Sequence, residues 1–190
     1  MSSKKIAIII GSLRKESLNR KLAHEVIALA PPSLSLEIVE IDGLNLFNED
    51  LEGNGISAPE AWAHFRKSIA PKDGVLFFTP EYNRSVPGVL KNAIDIGSRP
   101  YGESVWAGKP AAIVSVSPAA TGGFGANHHL RQSMVFLDMP LLQQPEAYIG
   151  GASKLFESDG KLNNERSTQF MKRFIDAFAA WVEINSKVVN

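Results

Sequence analysis

The chain has 190 residues, of which 44% are hydrophobic and 21% are charged, a balance typical of a globular protein with a substantial core. Its 20 basic and 20 acidic residues give zero net charge, so the basic excess typical of nucleic-acid or membrane-surface binding is missing. The lack of cysteine excludes disulfides, thiolate metal sites and cysteine nucleophiles, and it is consistent with a cytoplasmic location. Any redox chemistry would therefore need a bound cofactor.

The first half of the chain alternates apolar runs with amphipathic segments. Residues 6–10 form a continuous β-branched run, which predicts a strand buried on both faces of a parallel sheet and is too short to cross a membrane. Apolar residues recur at helical spacing over 18–29 and predict a helix. Residues 36–41 predict a second strand, and a capping box at 57–60 predicts the start of a second helix.

The second half of the chain continues the same alternation. Three further strands are predicted, at 74–79, 111–115 and 140–145. Helices are predicted at 86–96, after the glycine-rich loop 122–125, and at 163–184. Strand and helix thus alternate five times, which predicts a single α/β domain over residues 1–190. Its five-stranded parallel sheet is expected in the order 2-1-3-4-5, with helices on both faces.

The loop after the first strand reads GSLRKESLN and offers polar groups around a helix start. It has neither the G-x-G-x-x-G pattern nor the P-loop pattern. Ser17 is a good N-cap candidate, and the free N–H groups of the first turn favour a bound anion. Ser12, Ser17 and Asn19, with the charge of Arg14, would hold a phosphomonoester. The alternative is an ordinary surface loop with a capping serine.

Two later loops fall on the same edge of the predicted sheet. The stiff segment 79–88 carries Tyr82, whose ring offers a flat surface, and Asn83, which offers hydrogen bonds. The loop 115–125 ends in glycines that let the backbone approach a ligand closely. Taken singly, these segments also fit a turn and a flexible connector. Their common position predicts one ligand site beyond the carboxyl ends of the strands.

Three segments together resemble the NADPH-dependent FMN reductase family, and in particular its chromate/quinone reductase branch. They are GSLRKESLNRKLA at 11–23, TPEYNRSVPGVLKNAID at 79–95 and the glycine-rich loop at 122–125. The resemblance implies a flavodoxin-like three-layer sandwich with FMN bound at the point where the strand order reverses. It also implies a homodimer or homotetramer, with the helix after the second motif at an interface.

The resemblance assigns cofactor contacts residue by residue. The FMN phosphate would be held by Ser12, Arg14, Ser17 and Asn19; the isoalloxazine would be bordered by Pro80, Glu81, Tyr82 and Asn83; its far edge would meet Ser117, Gly122 and Gly123. No catalytic side chain and no metal ligand is assigned. Two positions depart from the branch pattern, because His128 replaces an aromatic residue and Phe124 replaces an arginine that are common there.

The implied function is the transfer of a hydride from NADPH or NADH through FMN to a small acceptor such as a quinone, flavin, azo compound or chromate. Arg84 or Arg99 would meet the extra phosphate of NADPH. Two alternatives stay open from the residues themselves. One is a flavodoxin-type electron carrier, although such carriers are usually strongly acidic and this chain is neutral. The other is a flavin-binding regulator without turnover.

Overall fold

The computed structural model describes residues 3–53 and 55–186. These residues contain one five-stranded sheet in the order β2-β1-β3-β4-β5, in which every neighbouring pair is parallel. The strands are β1 Lys4–Ile10, β2 Leu34–Ile38, β3 Gly74–Thr79, β4 Ala111–Val116 and β5 Ala147–Ile149. The predicted parallel sheet and its strand order are therefore confirmed.

Helices cover both faces of the sheet. They are α1 Leu18–Leu29, α2 Glu60–Ile69, α3 Gly88–Gly97, α4 Phe124–Phe136 and α5 Glu165–Asn185, with short 3-10 turns at Glu49–Leu51 and Ala152–Lys154. Helices α1 and α5 pack on one face, and α2, α3 and α4 pack on the other. Within the described ranges, none of these helices is both long and apolar enough to cross a membrane. The three-layer flavodoxin-like architecture follows.

Strand β1 shows why the sheet needs both helical layers. Its side chains alternate, so that Ala7 and Ile9 face the α2–α4 layer while Ile6, Ile8 and Ile10 face the α1–α5 layer. All five are buried. Burying one Ile side chain contributes roughly 1.5–3 kcal/mol. A strand without polar alternation is therefore stable only between two apolar layers, which the sequence pattern had indicated.

The position of the fifth strand was predicted wrongly. Segment 140–145 makes a single parallel bridge, at Leu141, flanked by hydrogen bonds from Ala111 N to Pro140 O and from Leu142 N to Ala111 O. Regular pairing with β4 occurs only over Ala147–Ile149. Prolines at 140 and 145 have no N–H to donate, so the ladder is interrupted until the segment after Pro145.

Several element boundaries also differ from the prediction. The capping box at 57–60 does not form: α2 begins at Glu60 after Pro59, with no side-chain cap. Helix α3 likewise begins only after Pro87. A residue before proline is kept out of helical geometry, which delays both starts. Strand β2 begins two residues earlier and ends three residues earlier than expected, and its pairing starts with Leu34 opposite Lys4 of β1.

Candidate functional site

A cleft of about 200 Å³ opens at the carboxyl edge of the sheet, where the loops after β1, β3 and β4 meet. The lining residues are Ser12, Arg14, Ser17, Leu18, Asn19, Pro80, Glu81, Tyr82, Val116, Ser117 and Pro118. Eight of the eleven residues predicted for cofactor binding are in that set. The other three, Asn83, Gly122 and Gly123, belong to the same loops but lie outside the lining.

The first wall of the cleft is the start of α1. Ser17 is its N-cap, and the Ser17 hydroxyl accepts a hydrogen bond from Arg20 N at 3.3 Å, as predicted. Ser12 and Ser17 are buried, while Arg14 is exposed. The early N–H groups of a helix have no intrahelical partner, and the helix dipole makes this end positive. This wall therefore combines hydroxyls, N–H groups and a guanidinium suited to an anion.

Asn19 carries an unmet hydrogen-bonding capacity in this wall. Its side chain is buried, and its Nδ2 donates to Val116 O at 3.4 Å. Its Oδ1 is buried and has no hydrogen-bond partner within residues 3–53 and 55–186. A buried acceptor without a donor costs about 1–3 kcal/mol. The chemistry of this atom fits a ligand that brings a hydroxyl or N–H donor to the cleft.

The second wall is a tight turn after β3. Tyr82 N donates to Ser85 O at 3.1 Å, and Ser85 N donates to Tyr82 O at 3.0 Å. The two central residues, Asn83 and Arg84, have φ values of 50° and 63°, in the left-handed region. Positive φ at both central residues is the geometry of a type I′ turn. The turn keeps Tyr82, which is 49% exposed, at the cleft.

Glu81 lies in this second wall, but its carboxylate is turned toward α4. Its Oε2 accepts a hydrogen bond from Ala126 N at 3.1 Å, and its Oε1 is 3.3 Å from Arg84 Nη1. Its side chain is only 11% exposed. Sequence reasoning missed this contact, since its partner stands 45 residues away and no local pattern links the two.

The third wall is the end of β4 and the loop after it, which line the cleft with Val116, Ser117 and Pro118 and lead into the glycine-rich start of α4. Gly122 and Gly123 have φ values of 61° and 77°, and Gly123 is the N-cap of the helix. A Cβ at Gly122 would lie 2.6 Å from the carbonyl carbon of Tyr148, and one at Gly123 would lie 3.0 Å from Ser115 Cβ. Only glycine fits both the backbone geometry and the space, so the loop is held close against β4 and β5.

An aromatic cluster lies beside this third wall. The rings of Phe124 and His128 have centroids 4.2 Å apart, and Tyr148 packs 5.3 Å from Phe124. The Tyr148 hydroxyl donates its only hydrogen to Glu146 Oε1 at 2.7 Å. His128 Nε2 lies 2.9 Å from the same hydroxyl oxygen and is therefore the donor in that second hydrogen bond. Burial, followed by the Glu146 carboxylate, raises the pKa of Tyr148 to about 12. Tyr148 is therefore uncharged at neutral pH.

The adjacent histidines contact different parts of the molecule. His128 approaches Tyr148, whereas His129 Nδ1 lies 3.0 Å from Ser85 Oγ on the turn of the second wall. In the part of the chain that the structure describes, no three His, Cys, Asp or Glu side chains come together as a metal site would require.

Comparison with known proteins places this architecture in one family. Residues 4–154 match the family described as NADPH-dependent FMN reductase. A quinone reductase of Pseudomonas putida is 61% identical over 96% of this chain and 97% of its own length. A 2-hydroxy-1,4-benzoquinone reductase of a Burkholderia species is 45% identical over 94% of this chain and 96% of its own length.

Among solved structures, FerB from Paracoccus denitrificans, a flavoenzyme NAD(P)H:(acceptor) oxidoreductase, superposes with a TM-score of 0.89 at 38% identity. The alignment covers 97% of this chain and all of FerB. The family match covers most of the chain, and the relatives are similar along nearly their whole length. Together these two findings establish the family. The chain belongs to the NADPH-dependent FMN reductase family and is an FMN-dependent NAD(P)H oxidoreductase.

Proposed function

We propose that the cleft binds FMN with its phosphate at the start of α1 and its ring against the turn 82–85, and that the enzyme reduces small quinones. When bound, FMN supplies the hydride chemistry. The observation that carries the proposal is the meeting of three loops in one cleft that contains a buried acceptor, Asn19 Oδ1, without a donor.

The phosphate is assigned to the polar groups around the first turn of α1. The hydroxyls of Ser12 and Ser17 and the early N–H groups donate to phosphate oxygens, and the guanidinium of Arg14 supplies charge. Each charge-assisted hydrogen bond of this kind contributes about 1.5–3 kcal/mol. Because Ser17 Oγ accepts from Arg20 N, its own hydroxyl hydrogen remains available to the ligand.

Asn19 is better suited to the ribityl chain than to the phosphate expected from the sequence. Its Nδ2 already faces Val116 O, so the group left for a ligand is the Oδ1 acceptor. Phosphate oxygens at neutral pH offer few donors, whereas ribityl hydroxyls donate readily. We therefore assign Asn19 to a ribityl hydroxyl next to the phosphate, which would satisfy the buried oxygen.

The ring is assigned to the second and third walls. Pro80 and Tyr82 line the cleft as rigid, largely apolar surfaces, with Glu81 and Asn83 on the same turn. Because Tyr82 N donates to Ser85 O within the turn, the backbone N–H groups of Glu81 and Asn83 are the ones that would stabilise negative charge on the reduced ring. The opposite edge of the ring is assigned to Ser117 and to the glycines 122 and 123. No side chain is proposed to transfer a proton in the hydride step.

A quinone is the acceptor that the relatives favour. The two relatives at 61% and 45% identity carry the names quinone reductase and 2-hydroxy-1,4-benzoquinone reductase. A flat, conjugated ring is also the shape that can lie over the exposed face of a second flat ring beside Tyr82. A small quinone is therefore the acceptor that we assign to this cleft.

Arg84 is the better candidate of the two arginines for the extra phosphate of NADPH. Its side chain is 79% exposed on the turn of the second wall, where Nη1 lies 3.3 Å from Glu81 Oε1. Arg99 instead pairs with Glu49 at 2.8 Å and packs over Phe47, away from the cleft. Replacing Arg84 with alanine should raise the KM for NADPH about tenfold, by loss of one charge-assisted contact, and leave the KM for NADH unchanged. Arg99→Ala is the matched control and should alter neither.

We also propose a single domain that self-associates as a homodimer or homotetramer in the cytoplasm. Tyr101 and Phe136 are 88% and 87% exposed and line a shared cavity near the ends of α3 and α4. Exposed aromatic side chains in one region are typical of an interface. Light scattering should give a mass that is a multiple of the 20.7 kDa chain mass. Phe136→Ser should lower the measured mass toward that of a single chain.

The direct test is the spectrum and turnover of the purified protein. The protein should be yellow, release FMN on denaturation, lose its flavin absorbance when NADPH is added without oxygen, and regain it with 1,4-benzoquinone. A colourless protein that takes up no FMN would sink the proposal. Bound FMN that NAD(P)H does not reduce would instead support the electron carrier or the regulator. Bleaching without recovery in benzoquinone would rule out a quinone acceptor.

A further inference from the structure

The start of α4 depends on a residue from another loop. Gly123, its N-cap, has no side chain to satisfy the first N–H groups. Glu81 takes this role, since its Oε2 accepts the hydrogen bond of Ala126 N at 3.1 Å. We propose that Glu81 is a positioning residue that fixes the ring-bordering turn 82–85 to the first turn of α4. This inference rests on the proposed FMN site.

Two further contacts join the turn to α4. Ser85 Oγ lies 3.0 Å from His129 Nδ1, one helical turn beyond Ala126. A Cβ at Gly125 would lie 2.8 Å from Arg84 O and 3.0 Å from Glu81 Oε2. The turn and the helix therefore approach so closely that only glycine fits between them. Glu81 is the member of this interface whose carboxylate reaches a helix N-terminus, where negative charge is favoured.

The contact joins two walls of the proposed FMN site. Glu81 and Tyr82 line the cleft, while the Cβ position of Gly123 lies 3.0 Å from Ser115 Cβ and 3.7 Å from Glu81 Cβ. The Glu81 carboxylate thus sets the distance between the turn that borders the ring and the glycine loop assigned to its far edge. It does so without being assigned a contact with the ring. Its loss would loosen both walls while the helix that holds the phosphate stays unchanged.

The experiment compares Glu81→Ala, Glu81→Gln and the control Glu165→Ala. Glu165 also lies in the first turn of a helix, α5, but away from the cleft. In the FMN-free protein, hydrogen exchange of backbone amides in 82–85 and 124–127 should become about tenfold faster in Glu81→Ala, as expected from loss of a helix cap. FMN should bind about tenfold more weakly to this variant. Glu81→Gln retains an acceptor oxygen, so its exchange rates and FMN affinity should stay within about threefold of the wild type. Glu165→Ala should match the wild type in both measurements.

The exchange and binding measurements separate the inference from the proposed function. Unchanged exchange in Glu81→Ala overturns the inference, and so does accelerated exchange with unaltered FMN affinity. A Glu81→Gln variant as impaired as Glu81→Ala would show that the hydrogen bond is not the cause. A wild-type protein that binds no FMN refutes the proposed FMN site and, with it, the predicted effect of Glu81→Ala on FMN affinity. The predicted effect on hydrogen exchange is still tested, because it is measured in the FMN-free protein. If Glu81→Ala does not fold, Glu81→Asp, whose shorter side chain cannot reach Ala126 N from the same backbone position, should still speed exchange in 124–127, and no change there overturns the inference.

Discussion

Two helices begin beside the cleft, and their first turns are completed in opposite ways. Helix α1 is capped by the side chain of the preceding residue, Ser17, and has no acidic residue in its first turn. Helix α4 begins after a glycine, and a carboxylate from another loop, that of Glu81, accepts its Ala126 N–H. The start of α1 is thus available to an external anion, whereas the start of α4 already contacts an anion belonging to the protein.

The difference explains how one sheet edge can hold a ligand with two unlike ends. A phosphate needs hydroxyls, N–H groups and charge, which Ser12, Ser17 and Arg14 supply around α1. A flat ring needs rigid walls at a fixed spacing, which the Glu81 contact and the close glycines provide around α4. Four substitutions test this comparison, and each is expected to have a smaller effect than the one before it.

The largest effect is expected where the start of α4 is packed against β5. Gly122→Ala forces a side chain into a left-handed position, at φ 61°, and into contact with the Tyr148 backbone. We expect a loss of about 2–4 kcal/mol in the free energy of unfolding, the sum of strain and overpacking. Urea titration measures it. Gly43→Ala, with φ 72° and open space, is the control and should lose only the strain contribution, so equal losses would contradict the packing argument.

The next effect separates the anion end from the ring end. Arg14→Ala should weaken FMN binding by about 1.5–3 kcal/mol, because one charge-assisted contact to the phosphate is lost. The same change should leave riboflavin binding, which involves no phosphate, nearly unaltered. Fluorescence titration with both flavins measures this, with Lys15→Ala, an exposed neighbour outside the cleft lining, as control. Equal losses of affinity for FMN and riboflavin would show that Arg14 does not contact the phosphate.

A smaller effect separates capping from ligand binding. Ser17→Ala removes the cap of α1 and should cost about 1 kcal/mol of stability together with a loss of FMN affinity. Asn164→Ala removes the cap of α5, whose Oδ1 accepts from Ser167 N at 2.8 Å, and should cost similar stability. Its FMN affinity should not change. Thermal unfolding measures the stability of both variants, and FMN titration measures their affinity. Equal FMN affinities in the two variants would show that Ser17 only caps the helix and does not bind the ligand.

The smallest effect is a pH dependence beside the start of α1. The hydrogen bond from Arg20 lowers the pKa of the Glu40 carboxyl. A lowered pKa in the folded state stabilises the protein above the unfolded pKa of about 4.3 and ceases to do so as pH falls through the folded value. Since Glu40 is half exposed, Glu40→Gln should cost about 0.2–1 kcal/mol at pH 7. Urea melts should show that gap closing below about pH 4, and a constant gap would contradict the pairing.

Local patterns predicted those parts of the molecule whose partners are close in sequence or whose burial is complete. Ser17 was identified as a cap because its hydrogen-bond partner, Arg20 N, is three residues away. The fifth strand was placed wrongly, since pairing with β4 is broken by prolines and is decided by a strand more than thirty residues earlier. The starts of α2 and α3 were missed because Pro59 and Pro87 exclude helical geometry before them, a local signal that was available.

Local residue patterns are sufficient to predict the alternation of strands and helices and the three polar loops at one sheet edge. These follow from apolar periodicity and from residues whose hydrogen-bonding groups act on their neighbours in the chain. Two features depend on the assembled fold: the Glu81 carboxylate turns to α4, and Asn19 donates its Nδ2 to Val116 O while its Oδ1 has no partner among the described residues. Both depend on atoms from distant segments, and such partners exist only after the sheet has brought its loops together.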